Sequence, residues 1–209
     1  PLPPATLKTP SSRPWRSTVA VTMRSAAPSS VRSATSYEAE PPADVIASIK
    51  EQNLASLRTF PGFRLVEADL RTADLTTIIK GTSVVLHQAG QPGVRMSWGD
   101  QFIDYVGHNI LATQRLLEAA RRVGVRRFVY ASSSSVYGDD VVLPMREDAL
   151  PQPVSPYGVT KLAAEQLCHL YQVNHGVPAV SVRYFTVYGP RQRPDMGFSR
   201  FFRAALEGD

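Results

Sequence analysis

The chain has no glycine before Gly62 and no aspartate or glutamate before Glu38, although it runs to 209 residues. Pro, Ser, Thr and Ala fill that opening, with Lys8, Arg13, Arg16, Arg24 and Arg32 carrying its charge. Such a composition does not favour a packed core, and residues 1–42 are set apart as an atypical segment. Cys168 is the only cysteine, which excludes an internal disulfide. A reducing compartment, the cytoplasm, is the expected setting, with Cys168 buried in a helix. No apolar run approaches the ~20 residues of a membrane span. His87, His108, His169 and His175 lack metal-ligand spacing, so they read as structural and no metal is expected. The net charge is +5, but no basic stripe interleaved with aromatics accompanies it, so a nucleic-acid partner is not expected. Arg121, Arg122, Arg126 and Arg127 flank a helix end and a strand start, where cations complement the helix dipole.

The informative stretch is 127–161. Arg127-Phe-Val-Tyr-Ala reads as a short buried strand, since Phe128, Val129 and Tyr130 are β-formers between charge and serines. Ser132-Ser-Ser-Ser-Val-Tyr-Gly138 follows it, then a loop. Ser155-Pro-Tyr157-Gly-Val-Thr-Lys161 opens a helix, with Pro156 in the first turn and Leu162, Ala163, Leu167 and Leu170 as its apolar run. Tyr157 and Lys161 are four apart and share a helical face. A phenol with a pKa near 10 is a poor base at neutral pH, and an ammonium one turn away lowers that value. A hydroxyl of Ser133 or Ser134 could bond the same substrate oxygen, giving a base for a sugar hydroxyl. Without such company, the pair reads as a solvated helix face.

Three motifs in order carry a family resemblance: SSSSVYG at 132–138, SPYGVTK at 155–161 and RYFTVYGPRQRP at 183–194. They resemble the extended short-chain dehydrogenase/reductases, within them the NAD-dependent nucleotide-sugar epimerase/dehydratase family, over roughly 63–209. The implied fold is α/β, a Rossmann-like doubly wound parallel sheet. It is expected to be incomplete, with 43–209 forming a partial NAD-binding domain and the start of a substrate region. The implied catalytic residues are Ser133, Tyr157 and Lys161, with Lys161 also holding the nicotinamide ribose. The resemblance places NAD against Asp69, Leu70, Gln88, Ala89, Gly90, Asn109, Ser132, Tyr157, Lys161, Tyr184 and Phe185. It places a UDP-sugar against Ser134, Ser135, Thr186 and Arg193.

A dinucleotide fold starts with a strand and a glycine-rich turn, because only glycine lets the backbone close on a pyrophosphate. No such turn is written in this chain. Three readings of the opening stand: a transit peptide, a disordered extension, or a frame-shifted start. Ala26-Ala-Pro-Ser-Ser-Val-Arg-Ser33 can be encoded by bases that, read one position earlier, give Gly-Gly-Ala-Phe-Ile-Gly-Ser. Ser17–Thr22 is then an in-frame first strand, and neither Glu38 nor Glu40 suits the acid that holds the adenosine ribose. From Asp44, Val45, Ile46, Ile49, Leu54 and Leu57 recur at helical spacing, as in a helix between second and third strands.

Phe63–Glu67 alternates and reads as a strand, followed by Asp69-Leu70, which relatives turn to adenine; a helix-capping aspartate is the other reading. Ser83–His87 is apolar, as in a parallel strand covered on both faces, and runs into Gln88-Ala89-Gly90. Residues 100–123 read as one amphipathic helix, with Ile103, Val106, Ile110, Leu116, Leu117 and Ala120 packed and Gly124 as its C-cap. Asn109 and Thr113 either face solvent or, as the family implies for Asn109, brace the strand that carries the serines. Pro178–Arg183 is the next strand, and Tyr184-Phe185-Thr186 stand at its end. The run from Thr186 to Met196 is closest to UDP-glucuronate epimerases, where Thr186 and Arg193 suit a sugar carboxylate. Arg191 and Arg193 bonding loop carbonyls or phosphate is the alternative.

The resemblance implies C4 epimerisation of UDP-glucuronate or UDP-glucose through a 4-keto sugar. Ser134-Ser135 stand where the family's dehydratases carry an acid pair, so elimination is disfavoured; a dehydratase or decarboxylase is the runner-up. A different class of reading is an inactive fragment or pseudoenzyme, since relatives continue past residue 209 into a smaller lobe that closes over the nucleotide. A homodimer through helices 100–123 and 156–175 is expected of the intact parent. Resequencing the DNA over codons 1–61 checks the frame. An intact glycine-rich turn in a neighbouring frame supports the frame-shifted start; confirmation of every base in the present frame refutes it and leaves the transit peptide or the extension.

Overall fold

Short runs of β-branched and aromatic residues alternate with helical stretches along the chain, and a parallel sheet is what such an order builds. The computed structural model describes residues 19–22, 43–60, 62–192, 194 and 196–208. In chain order the main elements are β1 (Val19–Thr22), α1 (Ala43–Arg58), β2 (Arg64–Glu67), α2 (Leu75–Ile78), β3 (Val84–His87), α3 (Phe102–Tyr105), α4 (Ala112–Val123), β4 (Arg127–Ser133), α5 (Pro156–His175), β5 (Ala179–Tyr184) and α6 (Gly197–Glu207). All ladders are parallel: β1 with β2, and β3 with β4 with β5. The sheet with its crossover helices is Rossmann-like, as expected. Among the described residues no ladder joins the two sheets. β1 falls within the segment that composition set apart, and it lies beside the strand read as third. The usual order puts the second strand there. The glycine-rich turn sought at 26–33, and Glu38 and Glu40, lie outside the described residues.

The core sits on one face of the three-stranded sheet. Val85, Phe128 and Tyr130 from the strands meet Leu116, Leu117 and Ala120 of α4 and Ala164, Cys168 and Tyr171 of α5. The neighbouring face differs from the expectation for β3. Val84 is 42% and Leu86 61% exposed, and Val180 and Val182 of β5 are open as well. Both α4 and α5 cover the same face, so among the described residues the strands are apolar on two sides but covered on one.

Two helical readings are corrected. The stretch 100–123 is not one α-helix: a 3-10 turn at Gly99–Gln101 leads into α3, a π-helix spans Val106–Leu111, and α4 follows. A π turn adds a residue to the helical repeat and rotates everything upstream of it. Leu116, Leu117 and Ala120, downstream, are buried as expected, whereas Ile103, upstream, is 71% exposed. Gly124 closes α4 in the left-handed region at φ 71° and donates its N–H to Ala120, as a C-cap does. In α5, Leu162, Ala163 and Leu167 are only partly covered and Leu170 is exposed. The buried stripe is instead Lys161, Ala164, Glu165, Cys168 and Tyr171, which includes two charged residues.

Leu117 is fully buried in this core, whereas Leu57 on α1 is 39% exposed. Leu117→Ala is expected to lower the unfolding free energy by about 2–5 kcal/mol in urea titration, and Leu57→Ala by less than ~1 kcal/mol. Equal losses would mean that the packing described here is not the folded core.

Candidate active site

The site is assembled by the ends of β3, β4 and β5 and by the first two turns of α5. Ser155 caps α5, its Oγ accepting the Gly158 N–H at 3.1 Å, and Pro156 occupies the first turn, where its missing N–H costs nothing. Gly158 brings that turn hard against the serine segment: a Cβ there would lie 2.5 Å from the Ser135 carbonyl oxygen and 2.9 Å from Pro153 Cβ. Tyr157 thereby faces Ser133, whose hydroxyl favours the phenolate. The Tyr105 ring meets the Tyr157 ring edge-on, with centroids 6.2 Å apart.

The electrostatics differ from the sequence expectation. Burial raises the Tyr157 pKa, and the opposing pull downwards comes from the Ser133 hydroxyl. Lys161 does not supply it here, because its ammonium is directed elsewhere. Nζ donates to the Ala131 carbonyl at 2.6 Å and lies 4.6 Å from the centroid of the Tyr130 ring. Burial drops the Lys161 pKa to about 8, against an upward pull from Glu165. Tyr130, in register with His87, is itself buried and its pKa is raised by burial.

The loop after β3 is locked to α5 by one amide. Asn109, buried on the π-helix, accepts the Gln91 N–H at 2.7 Å and donates to the Gln91 carbonyl at 3.1 Å and to Thr160 Oγ1 at 3.0 Å. Its bonds therefore brace the loop and α5, and not the strand of serines. A Cβ on Gly90 would stand 2.8 Å from Asn109 Oδ1 and 3.8 Å from Lys161 Nζ, so only glycine fits there without displacing the amide. Ala89 packs against the core, and Gln88 is exposed. Thr113 is buried instead of solvated: it donates to the Asn109 carbonyl at 2.6 Å and lies 2.8 Å from His87 Nε2. Having given away its proton, Thr113 can only accept from His87, which burial keeps neutral with a pKa near 3, helped by the Lys161 charge.

Ser132 does not face an open site. It is buried and donates to Glu165, which also pairs with Arg183. Ser133 accepts the Ser135 N–H at 3.2 Å and caps a 3-10 turn over Ser134–Val136. Tyr184 lies beside Ser133 in the ladder, and Phe185 stacks on Tyr137 with centroids 6.4 Å apart. Thr186 is exposed beyond them, and Arg193 lies outside the described residues. Asp69 and Leu70 belong to a separate corner. Asp69 caps no helix, a role Asp74 takes for α2; its carboxylate is held by the Arg71 guanidinium, which lowers its pKa to about 2. Leu70 is buried in the core, and its carbonyl accepts from Arg115 at 3.1 Å. Glu165, Arg183, Tyr130 and Thr160 were not read from sequence as site residues. The first could have been, since it continues the Tyr157, Lys161 face by four residues.

A Rossmann-like sheet with a Ser, Tyr and Lys cluster at its carboxyl ends defines a nucleotide-dependent class of protein. Residues 16–209 match the NAD dependent epimerase/dehydratase family. The chain belongs to that family, whose cofactor is NAD. The chain is 49% identical over 160 residues to the Bacillus subtilis (strain 168) protein called Uncharacterized UDP-glucose epimerase YtcB, covering 77% of this chain and 50% of that one. It is 38% identical to the UDP-glucuronate 4-epimerase of Thermodesulfobacterium geofontis (strain OPF15), covering 77% and 50%. The crystal structure of UDP-glucuronic acid 4-epimerase from Bacillus cereus, in complex with UDP-glucuronic acid and NAD, superposes with a TM-score of 0.73 at 48% identity, covering 77% and 51%. The chain thus spans about half the length of these relatives. Among the described residues, no helix is long and apolar enough to cross a membrane.

The depressed Lys161 pKa has a definite consequence for stability. Between pH 8 and 10.5 the unfolded chain holds a proton on Lys161 that the folded chain has released, so folding is penalised most below pH 8 and the penalty fades as pH rises. Relative to Lys161→Met, the unsubstituted chain is expected to gain on the order of 3 kcal/mol across that window. A flat difference in denaturation free energy would show that Lys161 is not buried as a charge.

Proposed function

We propose that this chain is the catalytic part of an NAD-dependent epimerase that inverts C4 of a UDP-sugar, with UDP-glucuronate as the substrate. The observation that carries the proposal is the Tyr157 phenol facing the Ser133 hydroxyl at the strand ends, with the Lys161 ammonium one turn behind it. The fit to NAD rests on Gly90, which lets the loop after β3 close on Asn109 and lie next to the Lys161 ammonium at the strand ends. Lys161, Gly90, Ala89, Tyr184 and Phe185 would hold the nicotinamide half, and Asp69 and Leu70 the adenine. NAD, when bound, supplies reversible hydride exchange with the sugar. The protein's own part is acid–base: Tyr157 takes the proton of the 4-hydroxyl and returns it, and Ser133 holds the same oxygen. Burial opposes the phenolate, so a charge brought near Tyr157 by ligands would have to offset it. Ser134, Ser135, Thr186 and Arg193 would face the sugar, with the arginine fork meeting its carboxylate.

The choice of epimerase over dehydratase rests on the serine turn, where Ser133–Val136 carries no acid to drive water from the sugar. Glucuronate is favoured by the relatives' names and by the Thr186 to Met196 run. The cytoplasm, inferred from the single buried thiol, and a second copy as partner complete the proposal. Ile103, Leu111 and Val173 on the helices around the site are open apolar contacts for such a copy.

Isothermal titration of the chain with NAD⁺ comes first, and no binding at millimolar cofactor would refute catalysis by it. Tyr157→Phe is expected to cut turnover of UDP-glucuronate at least ~10³-fold while NAD⁺ still binds; near-normal turnover removes Tyr157 as the base. Arg193→Ala should lower kcat/KM for UDP-glucuronate by ~10–100-fold more than for UDP-glucose, and equal losses would refute carboxylate recognition.

A further inference from the structure

Glu165 is a carboxylate in a helix stripe that also buries Lys161, Ala164, Cys168 and Tyr171. Packing α5 on the sheet calls for an apolar residue there, and a buried charge is costly unless it is fully paired. Its pairing is complete. Oε1 takes the Ser132 hydroxyl and Arg183 Nε at 3.0 Å, and Oε2 takes Arg183 Nη2 at 2.9 Å. Ser132 and Arg183 are neighbours in register on β4 and β5, so one carboxylate clamps two strand ends. The Arg183 guanidinium also lies 4.7 Å from the Tyr137 ring centroid and donates through Nη1 to the Glu147 carbonyl at 3.2 Å.

Three legs of this network end beside residues of the proposed site. Ser132 precedes Ser133, Arg183 precedes Tyr184, and Tyr137 closes the serine turn and stacks on Phe185. Filling the core would explain the burial of Glu165, but not why every bond it makes falls next to the chemistry. A bidentate carboxylate–guanidinium pair is directional and fixes both planes. We propose that Glu165 is a positioning residue: its carboxylate, bridging Ser132 and Arg183, holds the serine turn and the segment after β5 in register with Tyr157. The assignment rests on the function proposed above for the consequence to turnover, and on geometry alone for the positioning.

Amide hydrogen exchange on the full chain, read by mass spectrometry, tests the positioning without needing activity. In Glu165→Gln the side-chain shape is kept but the amide cannot accept both Ser132 and the Arg183 fork. Exchange over 133–137 and 184–187 is expected to quicken by about tenfold or more, while α4 stays within ~2-fold. Ser132→Ala removes one leg and leaves the ion pair, so it should quicken 133–137 by about threefold and serves if Glu165→Gln does not fold. Unchanged exchange at both segments, or equal quickening in α4, overturns the proposal. Where the unsubstituted chain turns over UDP-glucuronate, kcat of Glu165→Gln should fall ~10-fold or more, with the NAD⁺ Kd within about threefold; parallel losses of kcat and Kd would indicate a merely structural role. An unsubstituted chain without turnover refutes the proposed function, and the exchange result then decides the role of Glu165 on its own.

Discussion

The burial of one ammonium governs the geometry of this protein's sheet ends. Lys161 is taken out of water in the second turn of α5, and three features offset the cost: the Ala131 carbonyl, the face of Tyr130 and the charge of Glu165. None tolerates α5 sliding along β4, because a lysine that left the carbonyl would be a buried charge with no acceptor. That constraint fixes the rotation of the helix. With Lys161 seated, Tyr157 one turn before it arrives at Ser133, and Glu165 one turn after it arrives at Ser132.

A second lock acts from the other side. The π-helix that carries Asn109 departs from the regular repeat where the loop after β3 must be held. The amide spends both its donors and its acceptor on Gln91 and Thr160, so loop, π-helix and α5 form one polar joint. His87 and Thr113 continue it beneath, as a chain of donors with assigned directions. The joint at Asn109 is fully satisfied and holds a single arrangement, because any other leaves a donor or acceptor stranded, whereas Nδ1 of His87 beneath it is buried without a partner among the described residues.

The open face of β3, β4 and β5 contrasts with this. Val84, Leu86, Val180 and Val182 project from strands whose other side is tightly packed. The chain also spans about half the length of its relatives. Parallel sheets are ordinarily covered on both faces, whereas among the described residues this one is covered on one.

Much was legible without coordinates. The strand and turn at 127–138, the capped helix opening at Ser155 and the left-handed Gly124 follow from local chemistry: β-branched runs, an N-cap hydroxyl before proline, a glycine past the last helical residue. The pairing of Tyr157 with Lys161 on one face needed only helical spacing. Tertiary structure alone decided the rest. It put Glu165 and Arg183 together although they are 18 residues apart, and Asn109 with Thr160 across 51, because such bonds depend on strand register and helix rotation. It also reversed the sign expected for Tyr157: a sequence shows the lysine four residues away but not the burial around the phenol, and burial prevails over a charge pointed elsewhere. Local order is written residue by residue, whereas the environment of a charge is the sum of everything folded around it.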